Sequence, residues 1–170
     1  MEYQNHFFSY RTNVSAALPL GWEEFEEGEK SVTYIFDLAD VLDEEELVNE
    51  EGGKLFNPKW IIELFALPDS SLKHLEDVSK ALLMKSRLDF NPIRHESIEV
   101  DGYPAICDEF LYREPDYKGQ LIQHQAFVLV DNVLFSFSGV IPKELQEQFA
   151  SAFDEALQSV RFILPGIQQK

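Results

Sequence analysis

Cysteine is almost absent from this 170-residue sequence, and its scarcity excludes several kinds of protein. Cys107 is the only cysteine, so the chain can form no intrachain disulfide and no zinc site built from several thiolates. Long apolar runs are also missing, since none approaches the roughly 20 residues that span a bilayer. The N-terminal residues combine no basic start with an apolar run and offer no cysteine for lipid attachment. Because they do not resemble a secretion signal, we expect a cytoplasmic protein.

Basic residues are scarce as well. The sequence holds 14 Lys and Arg against 31 Asp and Glu, which gives a formal net charge of −17. Such a surface repels the phosphates of nucleic acids and of anionic membranes, so we expect neither as a partner. The same field favours encounters with basic proteins or cations.

Several familiar motifs of enzymes and metal sites are absent from the sequence. It contains no HExxH pair, no calcium-binding DxDxDG loop, no glycine-rich phosphate loop and no GxSxG nucleophile turn. The four histidines, which are His6, His74, His95 and His124, include no pair at metal-ligand spacing on one helix. We therefore predict that the chain is not an enzyme and that it binds no cofactor and no metal.

Several single residues have both a structural and a chemical interpretation. Cys107 precedes Asp108 and Glu109, whose charges would raise the thiol pKa, so an inert, buried thiol is predicted. His124 could pair across the sheet with Asp108 or Glu109, and we favour a polar pair over a general base. His95 and Glu96 should point to opposite faces of a strand. The two tryptophans, Trp22 and Trp60, are predicted to pack in the core.

The apolar composition is sufficient for one folded domain spanning 1–170, with a core at about 7–163. Hydrophobic residues make up 45% of the chain and include 14 Phe. Hydrophobic periodicity and turn residues predict strands at 7–17, 32–36, 60–67, 93–100, 103–113, 120–130 and 133–141. Amphipathic helices are predicted at 71–89 and 142–159. The nearly continuous apolar run at 60–67 suggests a strand that is buried on both faces, and such strands need a helix above and below. We predict an α/β protein of the α+β type, an antiparallel sheet sandwiched between helices.

An acidic segment interrupts this order between strands 32–36 and 60–67, and we interpret 37–58 as an insertion. Residues 37–51 hold eight acidic side chains and no basic one. Leu38, Val41 and Leu42 could form the apolar stripe of a short helix, and an acidic loop is the alternative. The centre of the segment has three interpretations, which are a solvated surface, a docking site for a basic partner and a weak divalent-cation site. Its residues are Asp43, Glu44, Glu45 and Glu46.

The order of elements resembles the PsbP/Mog-like α/β/α sandwich superfamily, which includes the DcrB-like bacterial proteins. Segment 8–10 (FSY) ahead of 18–22 (LPLGW) is similar to its opening strand and turn, and 131–138 (DNVLFSFS) resembles its late hairpin. The closing helix and strand of the superfamily are similar to the pattern Phe149, Phe153, Leu157, Val160 and Phe162. Members of this superfamily support photosystem II, bind the GTPase Ran, or act as cytosolic chaperones of type VI secretion effectors.

The resemblance and the missing motifs together imply a non-catalytic protein-binding module, such as a cytosolic chaperone or adaptor. Two alternatives remain open. One is a small-ligand protein or enzyme whose site is assembled from scattered residues such as His124, Asp108 and Tyr112. The other is a structural homo-oligomer formed through a face or an edge of the sheet. The sequence leaves the partner and the oligomeric state undetermined.

Overall fold

The computed structural model describes residues 3–9, 14–66, 75–77, 88–131 and 133–163, and within them ten strands form two antiparallel sheets. The smaller sheet has the order β1-β2-β10 and the larger one has the order β3-β4-β5-β9-β8-β7-β6. The strands are β1 (Tyr3–Ser9), β2 (Val14–Pro19), β3 (Trp22–Glu27), β4 (Ser31–Phe36), β5 (Lys59–Ala66), β6 (Leu88–Val100), β7 (Tyr103–Arg113), β8 (Leu121–Val130), β9 (Val133–Pro142) and β10 (Arg161–Phe162). The predicted antiparallel α+β architecture is confirmed.

Strands β6 to β9 form a meander whose tight turns follow from the sequence. Asp101 and Gly102 have φ angles of 50° and 81°, both in the left-handed region that a two-residue hairpin of this kind requires. The turn places Val100 opposite Tyr103 and Arg94 opposite Glu109. β6 begins at Leu88, so residues 88 and 89 belong to a strand and not to the predicted helix at 71–89. Asn91-Pro92 lies inside this strand, beside a bulge.

The strands buried on both faces are β8 and β9, at the centre of the larger sheet. Every residue of β8 is buried, and so is nearly every residue of β9. The strand at 60–67 was predicted to be buried on both faces, but among its described side chains Trp60 and Ile62 are buried, whereas Ile61 and Glu63 on the other face are only partly buried.

Helix α1 (Gln146–Ser159) covers one face of the larger sheet. Its apolar side matches the predicted stripe, with Phe153, Ala156 and Leu157 buried and Phe149 partly buried. Gly139 allows the close approach of the helix, since a Cβ at this position would lie only 2.6 Å from the Phe153 ring. The helix begins later than predicted, because Pro142 ends β9 and a short 3₁₀ turn, Lys143–Leu145, precedes it.

The opposite face of the sheet carries a second apolar cluster, which includes Ile106, Phe110, Phe127 and the fully buried Leu75. Leu75 belongs to a described helical turn at 75–77. The rest of the predicted helix at 71–87 lies outside the described residues. No helix of the described chain is long and apolar enough to cross a membrane.

The acidic segment 37–58 is an ordered connection from β4 to β5. It begins with a 3₁₀ turn, Leu38–Asp40, in which the Asp37 carboxylate accepts a hydrogen bond from the Ala39 N–H. Leu38 and Leu55 are buried against Leu145. Val41 is 61% exposed, so the predicted stripe that included it is wrong. The segment is neither a regular helix nor a detached loop.

Candidate functional site

The four acidic residues at the centre of segment 37–58, Asp43 to Glu46, are all exposed. The Glu46 carboxylate accepts a hydrogen bond from the Asp43 N–H at 2.9 Å, which closes a local turn. Among the described residues, no group of three or more His, Cys, Asp or Glu side chains is arranged to hold a metal ion. The four side chains are thus exposed on a structured backbone, and the Glu46 carboxylate helps to fix that backbone.

The register of β7 against β8 decides which carboxylate meets His124. Glu109 lies directly opposite His124, and Asp108 lies opposite Gln125. Because alternate residues face opposite sides of a sheet, His124 and Glu109 face helix α1 whereas Asp108 and Tyr112 face the other side. The scattered site suggested for His124, Asp108 and Tyr112 is thus not assembled, and Tyr112 is packed in the second apolar cluster.

A polar cluster lies where α1 crosses strands β6, β7 and β8. The Arg94 guanidinium donates from Nη2 to Cys107 Sγ at 3.2 Å and to Asp154 Oδ1 at 3.4 Å. Arg94 Nε lies 3.9 Å from Glu109 Oε2, and that oxygen lies 3.8 Å from His124 Nδ1. Four of these residues come from the sheet, and Asp154 comes from the helix.

Cys107 is 3% exposed, which confirms the predicted buried thiol. Burial raises its pKa to about 11, and the neighbouring Arg94 only partly opposes this effect. The sequence analysis attributed a raised pKa of Cys107 to the adjacent carboxylates of Asp108 and Glu109. In the structure, Asp108 lies on the opposite face of the sheet, and burial of the thiol is the largest cause of the raised pKa. A thiol protonated at neutral pH is a poor nucleophile.

His124 is 7% exposed and is covered by Phe153, whose ring centroid lies 5.4 Å from its own. Burial lowers its pKa, because an apolar environment disfavours the charged imidazolium, and Glu109 offsets only part of this effect. Neither ring nitrogen has a hydrogen-bond partner among the described residues. A neutral imidazole offers one donor and one acceptor, and both are unused here.

Two neighbouring spaces border this polar cluster. A cleft of about 210 Å³ opens between α1 and the edge of β6, lined by Arg94, Glu96, Cys107, Asp154 and other residues. A much smaller space of about 10 Å³ lies deeper, against His124, Trp60 and Phe153. Cys107, Asp154 and Leu157 border both spaces. We call them together the α1 cleft.

The other face of the sheet holds His95, which is arranged quite differently. Its Nδ1 lies 2.5 Å from Asp108 Oδ1 and its Nε2 lies 3.2 Å from Glu76 Oε1. The hydrogen bond to Asp108 raises the pKa of His95. His95 thus links the helical turn at 75–77 to β7 as an electrostatic clamp. Glu96, its neighbour, points to the opposite face as predicted, where it pairs with Arg94 at 3.4 Å.

Arg94 and Asp154 are the members of the polar cluster that sequence reasoning missed. The Asp101-Gly102 turn was a usable signal for Arg94, because a two-residue hairpin turn fixes Arg94 opposite Glu109. Asp154 carries no such signal, since its position depends on how α1 crosses the sheet.

No protein-family model matches the chain, and no curated protein matches its sequence. Solved structures do match. LpqN of Mycobacterium tuberculosis, described as involved in cell envelope biogenesis, has a TM-score of 0.68 at 11% identity, with 97% of this chain and 93% of that chain covered. CyanoP, the cyanobacterial PsbP of Synechocystis sp. PCC 6803, has a TM-score of 0.63 at 13% identity, with 95% and 93% covered.

The fold is PsbP-like. A protein of unknown function from Pseudomonas aeruginosa, PA94, also matches this chain, with a TM-score of 0.60 at 11% identity, over 99% of this chain and 100% of that one. At these identities the likeness concerns the fold alone, because one fold serves many functions. The closer resemblance to DcrB-like proteins stays a prediction.

Proposed function

We propose that this chain is a non-catalytic module that binds a basic protein partner through the acidic segment 37–58. One observation carries the proposal: the backbone of the segment is fixed to the domain while its central carboxylates, Asp43 to Glu46, are exposed. A charged surface that is ordered before binding loses less conformational entropy on association than a flexible one.

Asn49 holds the segment in place. Its side-chain oxygen accepts hydrogen bonds from the N–H groups of Glu51 and Gly53 at 3.0 and 2.9 Å, and its amide nitrogen donates to the carbonyl of Lys118 in the β7–β8 loop. Glu51 also pairs with Arg113 of β7 at 3.1 Å. The segment is therefore anchored at its C-terminal part, which leaves its centre free of these contacts.

The polar cluster supports the non-catalytic part of this proposal. The Cys107 thiol has a raised pKa, and Arg94 is neutralised by carboxylates rather than directed at an open reaction centre. The Cys107 thiol and the His124 imidazole are also buried between helix α1 and the sheet. These features support a role in binding rather than in nucleophilic or acid–base chemistry.

The edges of the larger sheet disfavour the alternative of a homo-oligomer formed by strand pairing. The edge strand β3 carries four glutamates and a bulge next to Phe25. The other edge strand, β6, contains Pro92 and two bulges. Charge, proline and bulges are the features by which proteins prevent edge-to-edge association.

A chaperone or adaptor in the cytosol is the specific form of the proposed function. It is supported by the acidic surface and by the resemblance to superfamily members that chaperone secretion effectors. In this form, the acidic segment would recognise a basic region of its client, and long-range attraction would speed their encounter.

The proposal is tested by capturing partners from the native host with the tagged chain at about 50 mM and about 300 mM salt, on either side of physiological ionic strength. The variant changes Asp43→Asn, Glu44→Gln, Glu45→Gln and Glu46→Gln. A control with the same charge change at exposed sites elsewhere carries Glu29→Gln, Glu114→Gln, Asp116→Asn and Glu155→Gln.

We expect one specific protein to be retained by the wild type and by the control, and to be lost from the variant and at high salt. Gln at position 46 keeps an acceptor for the Asp43 N–H, so the local turn should persist. Equal capture by the variant and the control would exclude segment 37–58 as the docking surface. Failure of the wild type to retain any specific protein would contradict the proposed function as a whole.

A further inference from the structure

The deep end of the α1 cleft contains a buried polar side chain that has no hydrogen-bond partner among the described residues. It is the His124 ring, which is 7% exposed. His124 lines the space of about 10 Å³. Buried polar groups without a partner are costly, and in native proteins they often mark the place of a bound group. The space is the size of a single water-sized group.

The charges around the α1 cleft decide the sign of that group. Glu96, Glu99 and Asp154 line the outer part, and Glu109 lies next to His124. Arg94 is the single cationic residue among those lining the cleft, and its guanidinium already pairs with Glu96 and Asp154. The carboxylates outnumber the guanidinium, so the cleft attracts cations and repels anions.

The walls of the deep space also suit a cation. Trp60 and Phe153 stack with ring centroids 6.1 Å apart and nearly parallel planes, and both rings border the space. Aromatic faces attract ammonium groups through their π electrons. The neutral His124 ring adds a lone pair that can accept a hydrogen bond from an ammonium N–H.

From this arrangement we propose that the α1 cleft binds a small organic cation of the alkyl-diamine class. One ammonium group occupies the deep space, where it donates to His124 and to the Asp154 carboxylate. The alkyl chain lies along Leu157 in the cleft, and the second ammonium lies near Glu96 and Glu99. This site is separate from the acidic segment 37–58, so it goes beyond the protein-binding role proposed above.

The test is a titration of the full chain with 1,4-diaminobutane, followed by NMR of the two indole N–H groups. Trp60 lines the deep space, whereas Trp22 packs against Phe36 and Phe149 and serves as an internal control. We expect a saturable shift of the Trp60 signal and no saturable shift of the Trp22 signal.

Two substitutions test the contacts. Asp154→Asn removes a half-exposed carboxylate of the cleft, and we expect about a tenfold weaker affinity, as for the loss of one charge-assisted hydrogen bond. Glu155→Gln makes the same charge change on the exposed side of α1 and should leave the affinity unchanged. Glu96→Gln, also partly exposed, is a second variant that should weaken binding in the same direction.

Three results would overturn the proposal. One is a Trp60 shift that NaCl or MgCl₂ of equal ionic strength reproduces. Another is saturable binding of acetate in place of the diamine. The third is an equal effect of Asp154→Asn and Glu155→Gln. The fourfold variant of Asp43 to Glu46 should still bind the diamine, so this proposal and the proposed function fail separately.

Discussion

His95 and His124 lie in the same sheet, and their surroundings move their pKa values in opposite directions. His95 is on the edge strand β6, where Asp108 and Glu76 accept from its two ring nitrogens and favour the charged form. His124 is on the central strand β8, where burial favours the neutral form. Both ring nitrogens of His95 have a carboxylate partner, whereas neither ring nitrogen of His124 has a hydrogen-bond partner in the described part of the chain.

The two consecutive carboxylates of β7 explain the difference. Asp108 points to the face of His95 and Glu109 points to the face of His124. Asp108 comes within 2.5 Å of its histidine, whereas Glu109 stays 3.8 Å away and is shared with Arg94 and Gln146. One step along the strand therefore decides between a hydrogen-bonded ion pair and a solvent-excluded neutral ring.

Phe153→Ala should have the largest effect on this comparison, because Phe153 is the cover of His124. Its ring also contacts Trp22 and Trp60, so truncation should lower the free energy of unfolding by about 3–5 kcal/mol. Water should then reach His124 and move its pKa upward toward its ordinary value, while His95 stays unchanged. Urea unfolding measures the first effect and NMR titration of the two rings measures the second.

Phe25→Ala is the matched control for this change. Phe25 is 61% exposed on β3, so its removal should alter stability by no more than about 0.5 kcal/mol. A loss at Phe153 no larger than the loss at Phe25 would mean that α1 does not depend on this ring.

Much of the fold was predictable, because the relevant signals are local. The Asp101-Gly102 turn and the alternating strands of the meander depend on neighbouring residues, and so does the apolar stripe of α1. The edge strand β3 was missed, since its sequence WEEFEE is mostly exposed and has little apolar pattern. The start of β6 was misplaced because Asn91-Pro92 indicates a turn, whereas the structure accommodates it at a bulge.

The polar cluster was less predictable than the fold. His124 and its alternative partners were recognised from the sequence, but the choice of Glu109 over Asp108 depends on the β7–β8 register. A loop of seven residues between these strands leaves that register open, unlike a two-residue turn. Asp154 joins the cluster through tertiary packing alone, which a single sequence does not encode locally.

A second way to sharpen the comparison is to neutralise each carboxylate of β7 in turn. Asp108→Asn removes the strongest partner of His95 and should lower the pKa of that histidine. Asp108 is buried, so the free energy of unfolding should also fall by about 1–2 kcal/mol, reduced from the full value of an ionic hydrogen bond because His95 is partly exposed. Glu109→Gln should instead lower the pKa of His124 further, since its charge opposes the effect of burial. NMR titration of both variants would contradict the assignment of faces if either change acted on the other histidine.

The smallest expected effect is the dependence of stability on pH. The folded pKa of His124 is depressed, so the unfolded chain binds its proton more tightly. Its contribution to stability is complete above the unfolded pKa of about 6.5 and is lost as pH falls toward the folded pKa. Between about pH 7 and about pH 6 the loss should stay below about 1 kcal/mol, since one proton gives a slope of at most about 1.4 kcal/mol per pH unit.

His95 should act with the opposite sign. Its folded pKa is raised, so its contribution is complete below about pH 6.5 and is lost as pH rises through the folded pKa. Because His95 is 40% exposed, solvent screening should keep this effect below about 0.5 kcal/mol. Urea unfolding from about pH 5 to about pH 8 should therefore show less acid sensitivity for His124→Gln and less alkaline sensitivity for His95→Gln than for the wild type. If both substitutions changed the profile on the same side of neutrality, the two histidines would not occupy the opposed environments that distinguish the two faces of the sheet.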